Sequence, residues 1–572
     1  MNGKFVSIGI DLGMTYSSMA FVGVTIDGSG MPLPKPEIAT DQTGTRIDHQ
    51  FVPSQVCAYL KNDNLCWAVG AEAQKKSIEY KLDSHLFRNY KLQIGDVFLD
   101  EEFNTEQMNP HLRSLLHDVT PDFVARKVIE YLYQLAFQVE SAPLYGYGIE
   151  SVSVSVPALW PDKKKKSIED LTKLALQPAN VEKIQLIEEP VAALYFQIRQ
   201  QAHLLSGPEK YVMVIDYGGG TCDVAVVKIE KNAEKLQADS KNVANVIGRA
   251  SSENGGVLID REIAKMLRRK LSSAVPSYDD YWYMSIAEKL KIEFSYQIRD
   301  SRGTGTNPGN LKLKYEIDMS QFGQYPKRVE MTMTSFSKLL SDILSKLEEP
   351  ILNAINHAND TEERKGKSKL ELQDIQHVFL AGGTALLPLV KDEVRRIFEV
   401  ANNRVTVTDI QPRIAIVYGD ALHAFQFDHG IGLGIGFTLQ ESIWLEGVFK
   451  QGIRVAKRGT ILPYKYVYSV RSASWKTEKI TVALYKGPSR IMSNNQGLEK
   501  GLQREDFILS KPAKLGTKFV FEVTINESGF LDFKLIRPDH PQDTFTRKGY
   551  VPYRSDIEAM SERATHKMGG NS

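Results

Sequence analysis

The chain has 572 residues, of which 42% are hydrophobic and 25% are charged, and its 71 Lys and Arg nearly balance its 70 Asp and Glu. This length exceeds the roughly 250–300 residues at which one hydrophobic core stops growing, so at least two domains are expected. The net charge of +1 gives no general field that would attract nucleic acid or an anionic membrane, and we expect neither as a partner.

Cysteine content and hydrophobic run length constrain the compartment. Cys57, Cys66 and Cys222 form no CxxC pair, which disfavours a disulfide framework and a cysteine zinc site. The chain enters an apolar strand-like run directly after Lys4, which leaves no room for a signal peptide. No segment approaches the ~18–20 apolar residues that span a bilayer. These features predict a soluble, cytoplasmic protein.

The first three quarters of the chain alternate strand and helix patterns. Apolar or alternating runs predict strands at 4–10, 15–26, 150–156, 184–187, 211–216, 223–229 and 377–380. Apolar residues three and four apart predict helices at 121–138, 163–176, 257–272, 283–297, 334–358 and 386–398. Polar stretches at 299–312 and 359–370 predict loops. Strands alternating with helices are typical of an α/β protein.

The pattern changes after Asp428. Residues 430–436 alternate Gly with apolar residues, and the segments that follow predict strands without helices at 440–449, 465–471, 477–485, 517–525 and 529–536. This spacing predicts a separate all-β module. Residues 538–572 are polar, which predicts a disordered tail whose first part can still pack.

Two strand–turn–strand segments share one composition. Asp11 and Asp216 each end an apolar strand, and each is followed by glycine and threonine, at Gly13–Thr15 and Gly218–Thr221. Glycine allows backbone N–H groups to approach phosphate oxygens closely, and the aspartates can hold hydrated Mg²⁺ or orient water. One such segment alone fits an ordinary hairpin, but two together favour a polyphosphate clamp. The chain has no GxxxxGK[ST] motif, which argues against a P-loop protein.

A third glycine motif follows the predicted strand at 377–380. Gly382-Gly383-Thr384 stands between this strand and a predicted helix, where backbone can lie against a flat purine. The motif is a weak signal alone.

The order of these motifs resembles that of the 70-kDa heat-shock chaperone (DnaK-type) family, within the actin-like ATPase superfamily, over residues 4–540. The resemblance implies an α/β fold with two lobes built on duplicated ribonuclease-H-like sheets, followed by a β-sandwich. It implies an actin-like nucleotide-binding domain at 1–427, a substrate-binding-like β-sandwich at 430–545 and a polar tail at 546–572.

The resemblance also implies roles for individual residues. Tyr90–Gly95 is similar to the family segment that carries a catalytic lysine, which assigns that role to Lys91, and Ile187–Pro190 is similar to the segment whose glutamate, here Glu189, positions the attacking water. Asp11 and Asp216 would organise Mg²⁺ and water. The nucleotide-binding residues implied are Gly13, Thr15, Tyr16, Gly218, Gly219, Gly220, Thr221, Gly255, Gly256, Glu288, Lys291, Gly382, Gly383 and Thr384.

The sequence departs from the family pattern at several places. Met14 replaces a threonine of the first phosphate loop, and a thioether cannot donate a hydrogen bond to phosphate. Ile292 and Leu386 replace two arginines that stack on the base, which removes their cation–π contribution. Residues 425–430 replace the acidic-leucine interdomain linker, and too few residues follow 545 to form a helical lid.

These features predict an ATP-dependent chaperone that hydrolyses ATP, with Mg²⁺, to control the binding of an unfolded or partner polypeptide by its β-sandwich. A co-chaperone or nucleotide-exchange factor would be a further partner. One alternative is a nucleotide-sensing adaptor with weak or no turnover that binds one dedicated protein, and the departures above favour it. A small-molecule kinase of the same superfamily is a third, which the β-sandwich argues against.

Overall fold

The computed structural model describes most of the chain in segments separated by short gaps. The described residues are 5–26, 32–38, 51–96, 108–138, 142–181, 183–231, 233, 242–271, 280–303, 311–320, 325–360, 368–401, 405–429, 434–439, 441–446, 452–472, 474–487, 496–497, 505–526 and 530–547. Within them, none of the helices combines the length and apolar character needed to cross a bilayer.

The first part of the chain forms a sheet flanked by helices. Its strands are β1 Phe5–Leu12, β2 Tyr16–Ile26, β3 Pro32–Ile38, β4 Val52–Pro53, β5 Val56–Lys61, β6 Asn64–Val69, β7 Ser84–Phe87, β8 Gly148–Val156 and β9 Ile184–Glu188. Its helices are α1 Ala71–Tyr80, α2 Pro110–Leu116, α3 Pro121–Tyr133, α4 Asp162–Ala175 and α5 Glu189–Gln200. The main sheet has the order β3-β2-β1-β8-β9, with β4 beside β2, and β5–β7 form a small separate sheet.

The second part repeats this arrangement. Its strands are β10 Lys210–Tyr217, β11 Cys222–Ile229, β12 Asn242–Ser252, β13 Lys312–Ile317, β14 Lys327–Thr332, β15 Ile375–Ala381 and β16 Thr406–Thr408. Its helices are α6 Gly256–Leu271, α7 Asp280–Gly303, α8 Met333–Leu344, α9 Glu348–Asn359, α10 Pro388–Val400 and α11 Ala415–His429.

The two main sheets have the same topology. In the first sheet β1 and β2 form an antiparallel hairpin, and β8 and β9 then add in parallel beside β1. In the second sheet β10, β11 and β12 form an antiparallel meander, and β15 and β16 add in parallel beside β10. Parallel pairing requires crossovers through helices, which explains why strands and helices alternate in the sequence.

The residues that the structure describes after His429 form strands and no helix. The strands are β17 Gly434–Thr438, β18 Ile443–Glu446, β19 Gly452–Ala456, β20 Ile461–Leu462, β21 Tyr464–Arg471, β22 Thr477–Val482, β23 Leu484–Lys486, β24 Gln496–Gly497, β25 Glu505–Ala513, β26 Lys518–Ile525, β27 Leu531–Ile536 and β28 Thr544–Arg547. β17 extends the second sheet by parallel pairing with β12, and β20 pairs with β17. One apolar cluster therefore continues from α5 through the second sheet into β21, β26 and β27.

Several elements differ from the sequence prediction. The long helix predicted over 334–358 is present, but one tighter 3-10 turn at Ser345–Leu347 divides it into α8 and α9, and Pro350 lies in the first turn of α9, where proline is tolerated. The loop predicted over 299–312 is wrong at both ends, because α7 continues to Gly303 and β13 begins at Lys312. The first part of the predicted polar tail does pack, because β28 pairs with β27, and residues 548–572 lie outside the described residues.

Candidate functional site

The two glycine turns predicted from the sequence lie against each other. A Cβ atom on Gly219 would lie 2.6 Å from the Thr15 hydroxyl oxygen, and one on Gly220 would lie 2.6 Å from Cγ of Met14. Side chains at these two glycines would therefore collide with the first turn. The close approach leaves backbone, rather than side chains, as the surface that faces the space between the sheets.

Backbone hydrogen bonds hold the second turn in place. The Gly218 N–H donates to the Thr221 carbonyl at 3.0 Å and closes the turn between β10 and β11. The Gly256 N–H donates to the Gly218 carbonyl at 3.0 Å, and the Thr384 hydroxyl donates to the same carbonyl at 2.8 Å. Gly255 packs its Cα against the backbone of Gly219 and Gly220. Gly255 and Gly256 thus support the turn from behind.

The remaining predicted site residues line one cavity between the two sheets, which encloses about 1200 Å³ of space, part of it open to solvent. Those residues are Asp11, Gly13, Thr15, Tyr16, Lys91, Glu189, Asp216, Gly218, Gly219, Gly220, Thr221, Glu288, Lys291, Gly382, Gly383 and Thr384. They come from six separate segments of the chain. The structure therefore brings together all the predicted residues except Gly255 and Gly256, which lie behind the lining.

Lys91 and Glu189 form a buried ion pair at the base of this cavity. Their side chains are 6% and 5% exposed. Lys91 lies in the short turn Tyr90–Gln93, whereas Glu189 opens α5, where a carboxylate interacts favourably with the helix dipole. Burial lowers the pKa of Lys91, but the charges of Glu189 and Asp11 outweigh it and raise that pKa. The lysine therefore keeps a positive charge although it is buried.

Three carboxylates lie close enough to share a cation. One oxygen each from Glu189, Asp216 and Asp223 lies within 4.8 Å of the others. One oxygen of Asp216 and both oxygens of Asp223 are buried without a hydrogen-bond partner of normal geometry among the described residues. Buried carboxylates without partners are costly unless a cation or proton balances them. Hard oxygen ligands in this arrangement fit Mg²⁺.

The carboxyl groups are tuned by burial and by each other. Burial raises the pKa of Asp11 to about 7, against the lowering effect of the Lys91 charge. Burial, reinforced by the charge of Glu189, raises the pKa of Asp223 to about 7. Burial also raises the pKa of Asp216 well above its usual value. Burial therefore makes these carboxyl groups easier to protonate than ordinary aspartates.

Gly382 is required by two independent constraints. Its φ is +85°, and a Cβ atom would lie 2.4 Å from an Asp216 carboxylate oxygen. Its N–H donates to the Pro412 carbonyl at 2.9 Å, which ties this turn to the start of α11. The glycine thus keeps the β15 turn directly against the acidic cluster.

Several residues that line the cavity were not predicted from the sequence. Tyr296 and Arg299 lie on the same face of α7 as Glu288 and Lys291. They follow Glu288 by eight and eleven residues, spacings that return to the same side of a helix, so the periodicity could have found them. Arg413, in contrast, lies in a loop without a recognisable pattern.

The Arg413 guanidinium is held by two aromatic rings. Its central carbon lies 3.9 Å from the ring centroid of Phe51 and 4.6 Å from that of Tyr16. Cation–π contacts of this kind favour a guanidinium over aromatic faces. Arg413 therefore covers one wall of the cavity close to the first glycine turn.

A second buried ion pair lies directly behind the site. Glu188, at the end of β9, accepts a hydrogen bond at 2.5 Å from Nε of Arg249 on β12, and the Arg249 side chain is 1% exposed. Burial lowers the pKa of the nearby Lys165, although the charges of Glu188 and Asp162 oppose this. Asp162 in turn forms an ion pair with Lys486 of β23. Charged contacts thus connect both main sheets to the C-terminal strands.

Comparison with known proteins identifies a family for the whole arrangement. The family model described as "Hsp70 protein" matches residues 7–500. The chain is 22% identical over 532 residues to "Chaperone protein dnaK" of Guillardia theta, covering 88% of this chain and 73% of that protein. It is 26% identical over 522 residues to "Mitochondrial-type heat shock protein 70" of Encephalitozoon cuniculi, covering 86% and 76%.

A plant relative matches over a similar span. The chain is 22% identical over 515 residues to "Heat shock 70 kDa protein 6, chloroplastic" of Arabidopsis thaliana, covering 86% of this chain and 62% of that protein. Identity is low throughout, but the family match extends from β1 into the C-terminal strands. The resemblance inferred from the glycine turns is therefore confirmed, and the chain belongs to the Hsp70 family.

Proposed function

We propose that this protein is an ATP-dependent chaperone of the 70-kDa heat-shock type, built on an actin-like ATPase and a C-terminal β-sandwich. The observation that carries this proposal is the cavity in which two glycine turns face a buried lysine and a carboxylate cluster. Its relatives' printed names describe chaperones and heat-shock proteins. ATP would bind between the two lobes with its phosphates against the turns.

Each group of residues would have a separate role in ATP hydrolysis. The backbone N–H groups of Gly218–Thr221 would bind phosphate oxygens, and Lys91 would stabilise charge that develops on the transferred phosphoryl group. Glu189 would orient the attacking water, because its carboxylate lies beside Lys91 at the base of the cavity. Asp11, Asp216 and Asp223 would hold Mg²⁺, which supplies charge neutralisation of the phosphates when bound.

The C-terminal strands would bind an extended or unfolded polypeptide. β17 joins these strands to the second sheet through its pairing with β12, and Lys486 reaches Asp162 of α4. A change in the relative position of the lobes would therefore act on these strands as well. Nucleotide state would in this way bias the grip on a polypeptide.

A nucleotide-sensing adaptor with little turnover is the second candidate. Met14 favours it, because the Met14 side chain contacts Gly220 in the second turn, where a threonine would offer a hydroxyl to phosphate. Such a protein would bind nucleotide and a dedicated partner without rapid hydrolysis.

Single-turnover hydrolysis of ATP with Mg²⁺ separates the two candidates. Phosphate release that disappears in Asp216→Asn, and that unfolded peptide accelerates, would support the chaperone. Lys91→Met should abolish release while the fold is retained, which circular dichroism would check. Nucleotide binding without release, in the wild type and in Asp216→Asn alike, would refute the hydrolytic function and favour the adaptor.

A further inference from the structure

The cavity has two chemically different ends. Lys291 is placed at the phosphate end, because its Nζ lies 3.4 Å from where a Cβ on Gly256 would be and forms an ion pair at 2.8 Å with Asp260. α7 rises about 1.5 Å per residue, so Arg299 lies roughly 12 Å farther along the helix. A nucleotide whose phosphates lie at Gly218–Thr221 would extend its base toward these later turns of α7.

The later turns present hydrogen-bond donors and apolar surface. Ile292, Leu386 and Leu387 supply aliphatic walls, and Tyr296, with 41% of its surface exposed, supplies an aromatic face. A base can stack on such a ring whatever its identity, because every base has a π-face. Stacking therefore holds a base here without selecting it.

Arg299 is the group at this end that could select a base. It lines the cavity, and the part of the chain that the structure describes gives it no carboxylate partner. Arg302, one turn later, is in contrast held by both oxygens of Asp392 at 3.0 and 2.5 Å. A guanidinium offers donors only, so the group that it pairs with must supply acceptors.

Purines differ at the edge that a guanidinium would read. Guanine offers two acceptors there, O6 and N7, and arginine pairs with both at once, whereas adenine offers N7 beside an amino group that is itself a donor. Among the described residues that line this end beyond Lys291, no side chain is a carboxylate or an amide. The other polar side chains on this stretch of α7 are the hydroxyls of Tyr296 and of Ser295, and the Ser295 hydroxyl donates to the Lys291 carbonyl at 2.8 Å.

We propose that Arg299 reads the 6- and 7-positions of the purine, so that the site binds guanine nucleotides at least as tightly as adenine nucleotides. This inference rests on the proposed function, because it assumes that the cavity binds a purine nucleotide through its phosphates. It assigns the substrate class of the site as purine nucleoside triphosphates with a 6-oxo group, in addition to ATP.

Calorimetric titration of the full chain with ADP, GDP and IDP in the presence of Mg²⁺ tests this inference. The expected result is that GDP and IDP bind at least as tightly as ADP, since IDP keeps the 6-oxo group and lacks the 2-amino group. Arg299→Gln should shift the preference toward ADP by about tenfold, because glutamine pairs with adenine N6 and N7. Arg302→Gln is the matched control and should leave the ratio unchanged.

The ratio of affinities is informative because a general loss of binding cancels in it. ADP binding that is clearly tighter than GDP binding in the wild type, or an unchanged ratio in Arg299→Gln, would overturn the inference and leave the proposed function intact. Failure of all three nucleotides to bind would overturn both.

Discussion

Removal of Glu188 should destabilise the protein strongly, because it leaves Arg249 buried without its carboxylate. The side chains of Glu188 and Arg249 are 9% and 1% exposed, so water cannot replace the lost partner. Breaking a buried ion pair from one side costs about 3–5 kcal/mol of unfolding free energy. We expect Glu188→Ala to fall in this range.

A double-mutant cycle distinguishes the unpaired charge from lost packing. Glu188→Ala with Arg249→Ala removes both charges, so the double variant should be less destabilised than the sum of the single variants by roughly 0.5–3 kcal/mol. Glu188→Gln keeps the shape of the side chain and should show the effect of charge alone. The measurement is thermal and urea unfolding monitored by circular dichroism.

An exposed pair provides the control for this cycle. Glu262 and Lys265 on α6 are in contact at 2.6 Å, but their side chains are 34% and 61% exposed. Exposed pairs contribute about 0–1 kcal/mol, so Glu262→Ala should change stability little. Additive single effects at Glu188 and Arg249, or a loss at Glu188 no larger than that at Glu262, would refute the reasoning.

Three further outcomes follow from the site. Asp420→Asn should stabilise the protein by roughly 1–3 kcal/mol at pH 8, because neither carboxylate oxygen has a hydrogen-bond partner of normal geometry among the described residues and burial raises the pKa of Asp420 well above its usual value. Because the pKa of Asp420 is higher in the folded state than in the unfolded state, the destabilisation caused by its buried charge is absent below about pH 4 and grows as pH rises. Equal effects of Asp420→Asn on stability at pH 4 and pH 8 would contradict this. Gly382→Ala should lower the melting temperature and abolish nucleotide binding, whereas Gly383→Ala should preserve the fold, since its Cβ would meet no described atom within 4 Å; equal melting temperatures would argue against the proposed collision with Asp216. Magnesium–ADP affinity should weaken as pH falls from 8 to 6, because burial raises the pKa of Asp223 to about 7 and bound protons compete with the metal; Asp223→Asn should reduce this dependence, and titration calorimetry at each pH would detect a flat profile if the idea is wrong.

Local signals were sufficient to predict the glycine turns and the strands that carry them. Asp11 and Asp216 each end an apolar run and precede glycine, so strand, turn and carboxylate are all written within ten residues. The facing arrangement of the two turns depends on tertiary structure, and it is seen in the close approach of Gly220 to the Met14 side chain. The repeated motif predicted it only because a polyphosphate needs backbone donors on two sides.

The burial of some polar side chains could not be predicted from the sequence. The alternation at 150–156 predicts the strand, but it does not predict that Ser151 and Ser153 are fully buried. α11 covers that face, where the Ser151 hydroxyl donates to the Ala424 carbonyl at 3.0 Å and Ser153 lies 2.9 Å from Nδ1 of His423. A helix packed against the strand supplies hydrogen-bond partners for these interior serines. The local sequence pattern of the strand does not predict where that helix packs.

The contacts between the C-terminal strands and the rest of the protein also could not be predicted from local sequence. A change of composition near Asp428 predicts an independent module, because Gly-rich alternation and closely spaced strands replace the helical pattern. In the structure Gly434–Thr438 pairs with β12, whose Arg249 also binds Glu188, the residue before Glu189. β12 is thus hydrogen-bonded to β17 of the C-terminal strands. Through Arg249 it also forms a buried ion pair with Glu188, in the segment that holds the candidate catalytic residue Glu189. Separating a buried ion pair costs several kcal/mol. If nucleotide binding displaced Glu188, Arg249 and β12 would therefore tend to move with it, and so would β17, which is paired with β12. Residues 425–430 lack the linker sequence that the resemblance leads one to expect, but strand pairing and a buried ion pair still connect the candidate site to the C-terminal strands.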